Sequence, residues 1–305
     1  MAGEPAPGAY GEGTLRCFGP AATVQCVHPH APPDDAGDLA VSTAEGVATL
    51  WFNRPDKRNA ITYDMWRGIA DSCRRLATDP TVRLLVVRGG GDHFSAGADI
   101  SGLGEPAPAD YRAANEAAHD AIASFPKPTL AFITGACVGG GAQIAIACDL
   151  RVADSTSRFG ITPARLGIVY PAFAVERTVR LIGPSSTKHL LYSAEIIDAA
   201  RALRIGLIDE LHEPGAAIQR LSELASLLAD QRSLVTQMSS KEMVDAVAGT
   251  GPASIEIERR WTEKAGAAAD RAEGVAAFLE RRTPRFTWTN ASDDTITTHP
   301  SREDR

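Results

Sequence analysis

Phe94-Ser95-Ala96-Gly97-Ala98-Asp99-Ile100 and, about forty residues later, Gly135-Ala136-Cys137-Val138-Gly139-Gly140-Gly141-Ala142-Gln143 are the stretches on which the reading of this chain turns. The second runs into the apolar segment 144–148, so it reads as a loop entering a helix whose first N–H groups lack an intrahelical partner. Its glycines let a ligand approach that backbone closely. The first follows the β-rich run Leu84-Leu85-Val86-Val87-Arg88 and a glycine turn, which exposes a second set of backbone donors at a strand end. Two such sets suit an oxygen that gains negative charge, such as that of an enolate. Taken alone, a glycine triplet before a helix serves close packing equally well; it is the pairing of the two stretches that favours an oxyanion hole.

Working outward, strand and helix signals alternate. Segment 47–53 reads as a strand, and Thr62 can cap a helix that carries Met65, Trp66, Ile69, Cys73 and Leu76 on one face. The unit recurs as strand 82–88, helix 111–124, strand 129–134, helix 139–148 and strand 150–153. Such alternation implies crossover connections and an α/β fold with a largely parallel sheet. Beyond Pro171 the pattern is helical, over 173–181, 185–192, 199–204, 216–228, 234–247 and 253–279.

Residues 1–37 are rich in Gly, Pro and Ala with few large apolar side chains, which marks a flexible N-terminal tail. The expected division is then a core over 38–213, a helical region over 214–286 and a flexible tail over 287–305. At 305 residues and 44% hydrophobic content the chain can bury a sizeable core. A net charge of −7 without a basic cluster argues against nucleic acid as a partner. Cys17, Cys26, Cys73, Cys137 and Cys148 form no CxxC pair and have no His-rich companion segment, so they read as free thiols rather than a metal site. No apolar run approaches the ~20 residues that span a bilayer, and the N-terminus lacks a secretory core. A cytoplasmic protein is expected.

The two stretches, in their order and spacing, resemble the crotonase superfamily, also called the enoyl-CoA hydratase/isomerase family. The resemblance runs from about Val47 to Phe286 and includes Asn53-Arg54-Pro55 with Asn59-Ala60, the Phe125-Pro126-Lys127-Pro128 approach to the glycine loop, Cys148-Asp149, and the Ala202 to Asp209 segment. It implies a ββα spiral core with a C-terminal helical trimerisation region, giving homotrimers or dimers of trimers. It also implies an acyl-CoA thioester as substrate, so that coenzyme A enters as part of the substrate and no permanent cofactor or metal is expected. By this alignment the oxyanion donors are the N–H groups of Ala98 and Gly140.

Hydratases of the family place glutamates where this chain has Gln143 and Pro163. Neither can exchange a proton near neutral pH, so the water-activating pair is missing. The replacement loop, Phe159-Gly160-Ile161-Thr162-Pro163-Ala164-Arg165-Leu166-Gly167-Ile168-Val169-Tyr170, resembles that of the family's methylmalonyl-CoA decarboxylase branch, which maps functional hydroxyls onto Tyr170 and Thr162. One departure stands out: that branch has a histidine where this chain has Ala98. Decarboxylation of a malonyl-type thioester suits a site without carboxylates, because the breaking C–C bond itself generates the enolate. Tyr170 reads equally well as an aromatic that closes a loop over the core, and Thr162 as a turn residue before Pro163.

The resemblance places the coenzyme against Arg58, Ala60, the 96–100 backbone (Ala96, Gly97, Ala98, Asp99 and Ile100) and Gly140, with Arg281 as a further phosphate partner. Lys57 joins them as a surface charge. Glu116 and His119 lie on the 111–124 helix and read as solvated; if one enters the pocket, isomerisation or atypical hydration becomes possible. His93 reads as solvent-facing. Glycines 139–141 lack dinucleotide GxGxxG spacing, so no nicotinamide cofactor is implied. A non-catalytic acyl-CoA-binding subunit is the rival reading from another class.

Overall fold

The computed structural model describes residues 31–34, 36–102, 107–248 and 254–290. Its strands are β1 (Leu39–Ala44), β2 (Val47–Phe52), β3 (Leu84–Gly89), β4 (Thr129–Ile133), β5 (Ala136–Val138), β6 (Leu150–Asp154), β7 (Arg158–Gly160), β8 (Ile197–Asp198) and β9 (Glu210–His212). Six form one sheet in the order β1-β2-β3-β4-β6-β9, and β5-β7-β8 form a second. Every pairing in the larger sheet is parallel except the β1–β2 hairpin. The hairpin turns on Glu45 and Gly46, both at positive φ (48° and 78°), as a tight two-residue connection requires. Sequence periodicity alone does not expose β1, β5, β7, β8 or β9, which are short or of mixed polarity.

The helices are α1 (Tyr63–Thr78), α2 (Pro108–Ala123), α3 (Gly140–Ala147), α4 (Pro163–Leu166), α5 (Ala172–Ser193), α6 (Ala199–Arg204), α7 (Pro214–Asp230), α8 (Leu234–Ala248), α9 (Ser254–Ala267) and α10 (Asp270–Glu280). Thr62 caps α1 as expected, its hydroxyl accepting from the Met65 N–H at 3.2 Å, a contact of a kind worth about 1 kcal/mol. The two helices expected over 173–192 are the two halves of α5, separated by non-helical backbone at Gly183 (φ 74°, ψ 166°) immediately before Pro184. The long helix expected over 253–279 is two, α9 and α10. The buried Asp270 carboxylate at the start of α10 accepts from the Ser233 hydroxyl (2.7 Å) and from the N–H groups of Thr287 and Trp288 (3.1 Å each).

Strand alternation splits the core in two. Ala48, Leu50, Phe52, Leu85, Val87, Ala131 and Ile133 face α1, α2 and α3. Val47, Leu84, Val86, Leu130, Phe132 and Val152 face α7 through Ala217, Leu221, Leu224 and Ala225. A third cluster, Leu234, Val235, Met238, Ile257 and Trp261, joins α8 to α9.

The expected tail from 287 starts with held residues: Asn290 is buried and its amide donates to the Ala77 carbonyl at 2.9 Å. Residues 291–305 and most of 1–37 lie outside the described residues, as do Cys17 and Cys26. Cys73, Cys137 and Cys148 are buried free thiols. Among the described residues no helix is long and apolar enough to cross a membrane.

Candidate active site

The first glycine-bearing stretch is braced before anything binds to it. Asn59 adopts the left-handed conformation (φ 58°), and its side chain accepts from Arg54 N–H (2.8 Å) while donating to the Gly90 (2.9 Å) and His93 (2.5 Å) carbonyls. Arg54 then reaches across, donating to the Ala60 carbonyl and to Asp99 Oδ2, both at 2.7 Å. Hydrogen bonds from the Ser101 hydroxyl and from Arg54 hold the Asp99 carboxyl down at about 2. The Ser95 hydroxyl donates to the Asn59 carbonyl and accepts from Gly97 N–H. His93 is part of this frame rather than merely solvent-facing, because its Nδ1 accepts from Ala136 N–H at 3.2 Å.

This frame aims the Ala98 amide. Ile61 N–H donates to the Gly97 carbonyl (2.8 Å), and Asp99 N–H donates to the Ile61 carbonyl (2.9 Å). With those neighbours turned toward Ile61, the Ala98 N–H points the other way, and it donates to no acceptor among the described residues. On the second stretch Gly139 takes φ 54°, ψ −118° and delivers its own N–H to the Gly160 carbonyl at 2.8 Å. The next amide, Gly140 N–H, opens α3 and likewise has no acceptor among the described residues. The two stretches are in contact there. A Cβ on Gly140 would stand 3.4 Å from the Ala98 nitrogen, and one on Gly97 would stand 3.3 Å from the Gly140 nitrogen.

Gln143, one turn along α3, is 5% exposed. Beside its amide lies the Tyr170 hydroxyl, which is buried and has no well-formed hydrogen bond among the described residues. Burial pushes the Tyr170 pKa well up, while the Gln143 amide opposes the shift. Pro163 is buried at the first position of α4, where a missing N–H costs nothing. Thr162 precedes it as the half-buried N-cap residue, with no capping bond from its side chain. The structure therefore brings Ala98, Gly140, Gln143 and Tyr170 to one end of α3 and sets Thr162 at the edge of the same loop.

His119, read from sequence as solvated with entry into the pocket as the alternative, is buried. It lies on the buried stripe of α2 with Ala114, Asn115, Ala118 and Ile122, and is 1% exposed. Its ring sits between Trp66 (centroids 5.2 Å apart) and Phe173 (5.3 Å). Nδ1 lies 2.6 Å from the Asn115 carbonyl, whereas Nε2 is buried without a well-formed hydrogen bond among the described residues. Burial lowers its pKa to about 4, with Arg177 acting the same way and the main chain at Asn115 and Gly140 opposing. Trp66 carries the packing onward: its ring would stand 3.0 Å from a Cβ on Gly140, and its Nε1 donates to the Tyr111 hydroxyl at 3.0 Å. The signal was present as i, i+3, i+4 spacing with small apolar residues on α2. Glu116, by contrast, is half-buried on the same helix.

Of the expected coenzyme contacts, Lys57, Arg58 and Ala96 are exposed, Ala60 and Asp99 are partly buried, and Ile100 is exposed, all on the rim formed by 57–60 and 96–100. Arg58 adds its carbonyl to the frame, accepting from Ala96 N–H at 2.8 Å. Arg281 stands elsewhere, exposed in the left-handed conformation at the end of α10, with no hydrogen bond or ion pair to that rim. No group of three His, Cys, Asp or Glu among the described residues is arranged to hold a metal ion.

The parallel α/β fold that carries this frame has counterparts in known proteins. Residues 42–289 match the family model described as enoyl-CoA hydratase/isomerase, and the chain belongs to that family, the crotonase superfamily. The crotonyl-CoA hydratase of Syntrophomonas wolfei is 31% identical, with 82% of this chain and 97% of that protein covered. The 2,3-dehydroadipyl-CoA hydratase of Escherichia coli is 30% identical over 82% of this chain and 98% of its own length. Among solved structures, an enoyl-CoA hydratase/carnithine racemase from Magnetospirillum magneticum superposes with a TM-score of 0.79 at 27% identity, covering 83% of this chain and 96% of that one. The chain is thus an acyl-CoA enzyme of this superfamily with the crotonase fold.

Proposed function

We propose that this enzyme decarboxylates a malonyl-type acyl-CoA, such as methylmalonyl-CoA or ethylmalonyl-CoA. The observation that carries the reading is the buried Tyr170 hydroxyl, beside the Gln143 amide but without a well-formed hydrogen bond among the described residues, where hydratases of the family set a carboxylate. The thioester carbonyl would accept from Ala98 N–H and Gly140 N–H, strengthened by the α3 dipole. Breaking the bond between the α-carbon and the free carboxylate releases carbon dioxide and leaves its electron pair as the enolate. No base is required for that step. Removing one such donor from other enzymes costs about 3 to 4 kcal/mol in transition-state stabilisation.

Tyr170 and Thr162 would donate to the departing carboxylate, and a carboxylate in place of Gln143 would repel it. The coenzyme would lie along Arg58, Ala60 and the backbone of Ala96, Gly97, Ala98, Asp99 and Ile100. Arg281, remote from that rim within one chain, would meet the phosphates of a neighbouring copy in a homotrimer or dimer of trimers. A cytoplasmic setting fits the expected reduced thiols.

The names of the relatives favour a second reading, isomerisation or hydration of an enoyl-CoA with Tyr170 or His119 as the titrating group. Incubation of the pure protein with methylmalonyl-CoA separates the two. Release of carbon dioxide with formation of propionyl-CoA is expected; rapid turnover of crotonyl-CoA without that release would replace the proposal with hydration. Tight binding of coenzyme A with no conversion of any thioester would select a non-catalytic binder.

A further inference from the structure

His119 is a buried histidine whose tautomer is fixed by its surroundings. A carbonyl oxygen only accepts, so the 2.6 Å contact with Asn115 makes Nδ1 the protonated nitrogen and leaves Nε2 with a lone pair. That lone pair has no well-formed hydrogen bond among the described residues, although burying an acceptor unpaired is costly. The ring lies between Trp66 and Phe173 and beside the main chain of Gly140, the residue that opens α3. Together with the Tyr170 hydroxyl at Gln143, it sets two buried polar groups without well-formed hydrogen bonds among the described residues beside the first turn of α3.

We propose that His119 carries the proton of the reaction: Nε2 takes one up as the substrate's free carboxylate enters, and delivers it to the α-carbon once carbon dioxide has left. This rests on the decarboxylase reading above. A carboxylate meeting a lone pair is repelled, whereas a proton placed between them makes a charge-assisted hydrogen bond. Around the ring, the main chain at Asn115 and Gly140 and the Asp120 carboxylate favour a proton, but burial and Arg177 outweigh them. Asp120 on α2 and Arg177 on α5 pair with each other at 2.5 Å, Glu116 is on the same helix as His119, α1 presents Trp66, and α3 presents main chain. The incoming carboxylate is therefore the group that changes the balance at Nε2.

The step balances. Substrate carboxylate, enzyme and one proton from solvent give the imidazolium complex; the C–C electron pair stays on the acyl group as the enolate while carbon dioxide departs. Nε2–H then protonates the α-carbon, the enolate returns to a thioester, and His119 regains its neutral form. The histidine that the decarboxylase branch carries in the first stretch is Ala98 here, and His119 reaches Gly140 from α2 instead.

The test is the dependence of kcat/KM on pH with methylmalonyl-CoA between pH 5 and 9. A free imidazole held at about 4 must be protonated for productive binding, so kcat/KM falls about tenfold per pH unit as pH rises. Proton donation by Tyr170, whose pKa lies above this window, gives a flat profile instead. His119→Gln keeps a neutral N–H donor that needs no proton for binding, so KM no longer rises with pH, kcat drops about 100-fold and the slope disappears. A flat wild-type profile, or a slope that persists in His119→Gln, overturns the proposal. The wild-type slope decides the matter even if the variant fails to fold. Absence of methylmalonyl-CoA turnover at every pH removes the decarboxylase reading and this proposal with it, whereas turnover with a flat profile removes only the proposal.

Discussion

The start of α3 and the cleft beneath the C-terminal helices differ in how their polar groups are used. The cleft is large, about 1440 Å³, and is lined by Phe173, Phe278 and Phe286 as well as by many charges. Those charges answer one another: Lys241 with Asp149 at 2.8 Å, Arg180 with Glu176 at 2.6 Å, and Arg282 with Glu273 at 2.6 Å. At the start of α3 the Ala98 and Gly140 amides, the Tyr170 hydroxyl and His119 Nε2 all lack well-formed bonds among the described residues. Groups that cost free energy when left unpaired are where a ligand has something to gain. The cleft wall has such groups too, Arg151 Nε, Arg177 Nη1 and Gln237 Oε1, but they sit beside charges that are otherwise paired rather than around one helix start.

Gly140→Ala tests the contrast most severely. The added methyl would stand 3.0 Å from the Trp66 ring and 3.4 Å from the Ala98 nitrogen, intruding where the two amides meet. The expected outcome is a fall in kcat of about 10²- to 10³-fold, comparable to losing one oxyanion donor. Single-turnover formation of propionyl-CoA measures it, and a melting curve separates this loss from unfolding. Near-normal turnover by a folded variant would mean that the carbonyl binds elsewhere.

Tyr170→Phe comes next. If the hydroxyl is held for substrate, kcat falls about 100-fold while stability is unchanged or slightly raised, because a buried polar atom without a partner has been removed. The opposite result, a protein destabilised by about 1 kcal/mol with kcat intact, would make Tyr170 an ordinary loop-closing aromatic. Thermal melting alongside steady-state kinetics distinguishes the two.

The difference between the regions also tracks what could be read from sequence. The Ala98 and Gly140 stretches were legible because glycine at positive φ and an uncapped helix start leave marks in residue type, and the structure has Gly97 at φ 102° and Gly139 at φ 54°. The loop pattern leaves Tyr170 open between a functional hydroxyl and a loop-closing aromatic, and the structure places that hydroxyl, buried, beside Gln143. His119 was on the page as periodicity: Ala114, Ala118 and Ile122 define a buried stripe that includes it, but a histidine on a helix reads as solvated until the facing Trp66 and Phe173 are placed by α1 and α5. Long-range register does this, and no local pattern reports it. For the same reason the short strands β5, β7 and β8 were invisible, since three-residue runs such as Ala136–Val138 acquire meaning only from their partners. The break between α9 and α10 depends on Asp270 meeting Thr287 and Trp288, contacts well over a dozen residues away in sequence.

A smaller effect belongs to the scaffold of the first stretch. Asp99 is held at about 2 against an ordinary value of 3.8, so its folded pKa is depressed. The stability it contributes is fully present above about 4 and is lost as pH falls through about 2. Asp99→Asn should cost on the order of 1 to 2 kcal/mol at neutral pH and flatten the stability profile in that acid window, read from denaturant unfolding at several pH values. An unchanged acid limb would mean that Arg54 and Ser101 hold the loop without the carboxylate.

The weakest expected effect is the one that guards the comparison. Arg180 lines the cleft and pairs with Glu176 four residues earlier on the same helix, with both side chains substantially exposed. Exposed pairs of that spacing contribute little, so Arg180→Ala should change stability by no more than about 0.5 kcal/mol and leave kcat as it was. Its exposed guanidinium is solvated apart from the Glu176 contact, so water meets the rest of its donors with or without an acyl group at Gly140. A tenfold loss of kcat with unchanged melting would show that the cleft takes part in the reaction, and that bonds already formed among its charges do not keep it out.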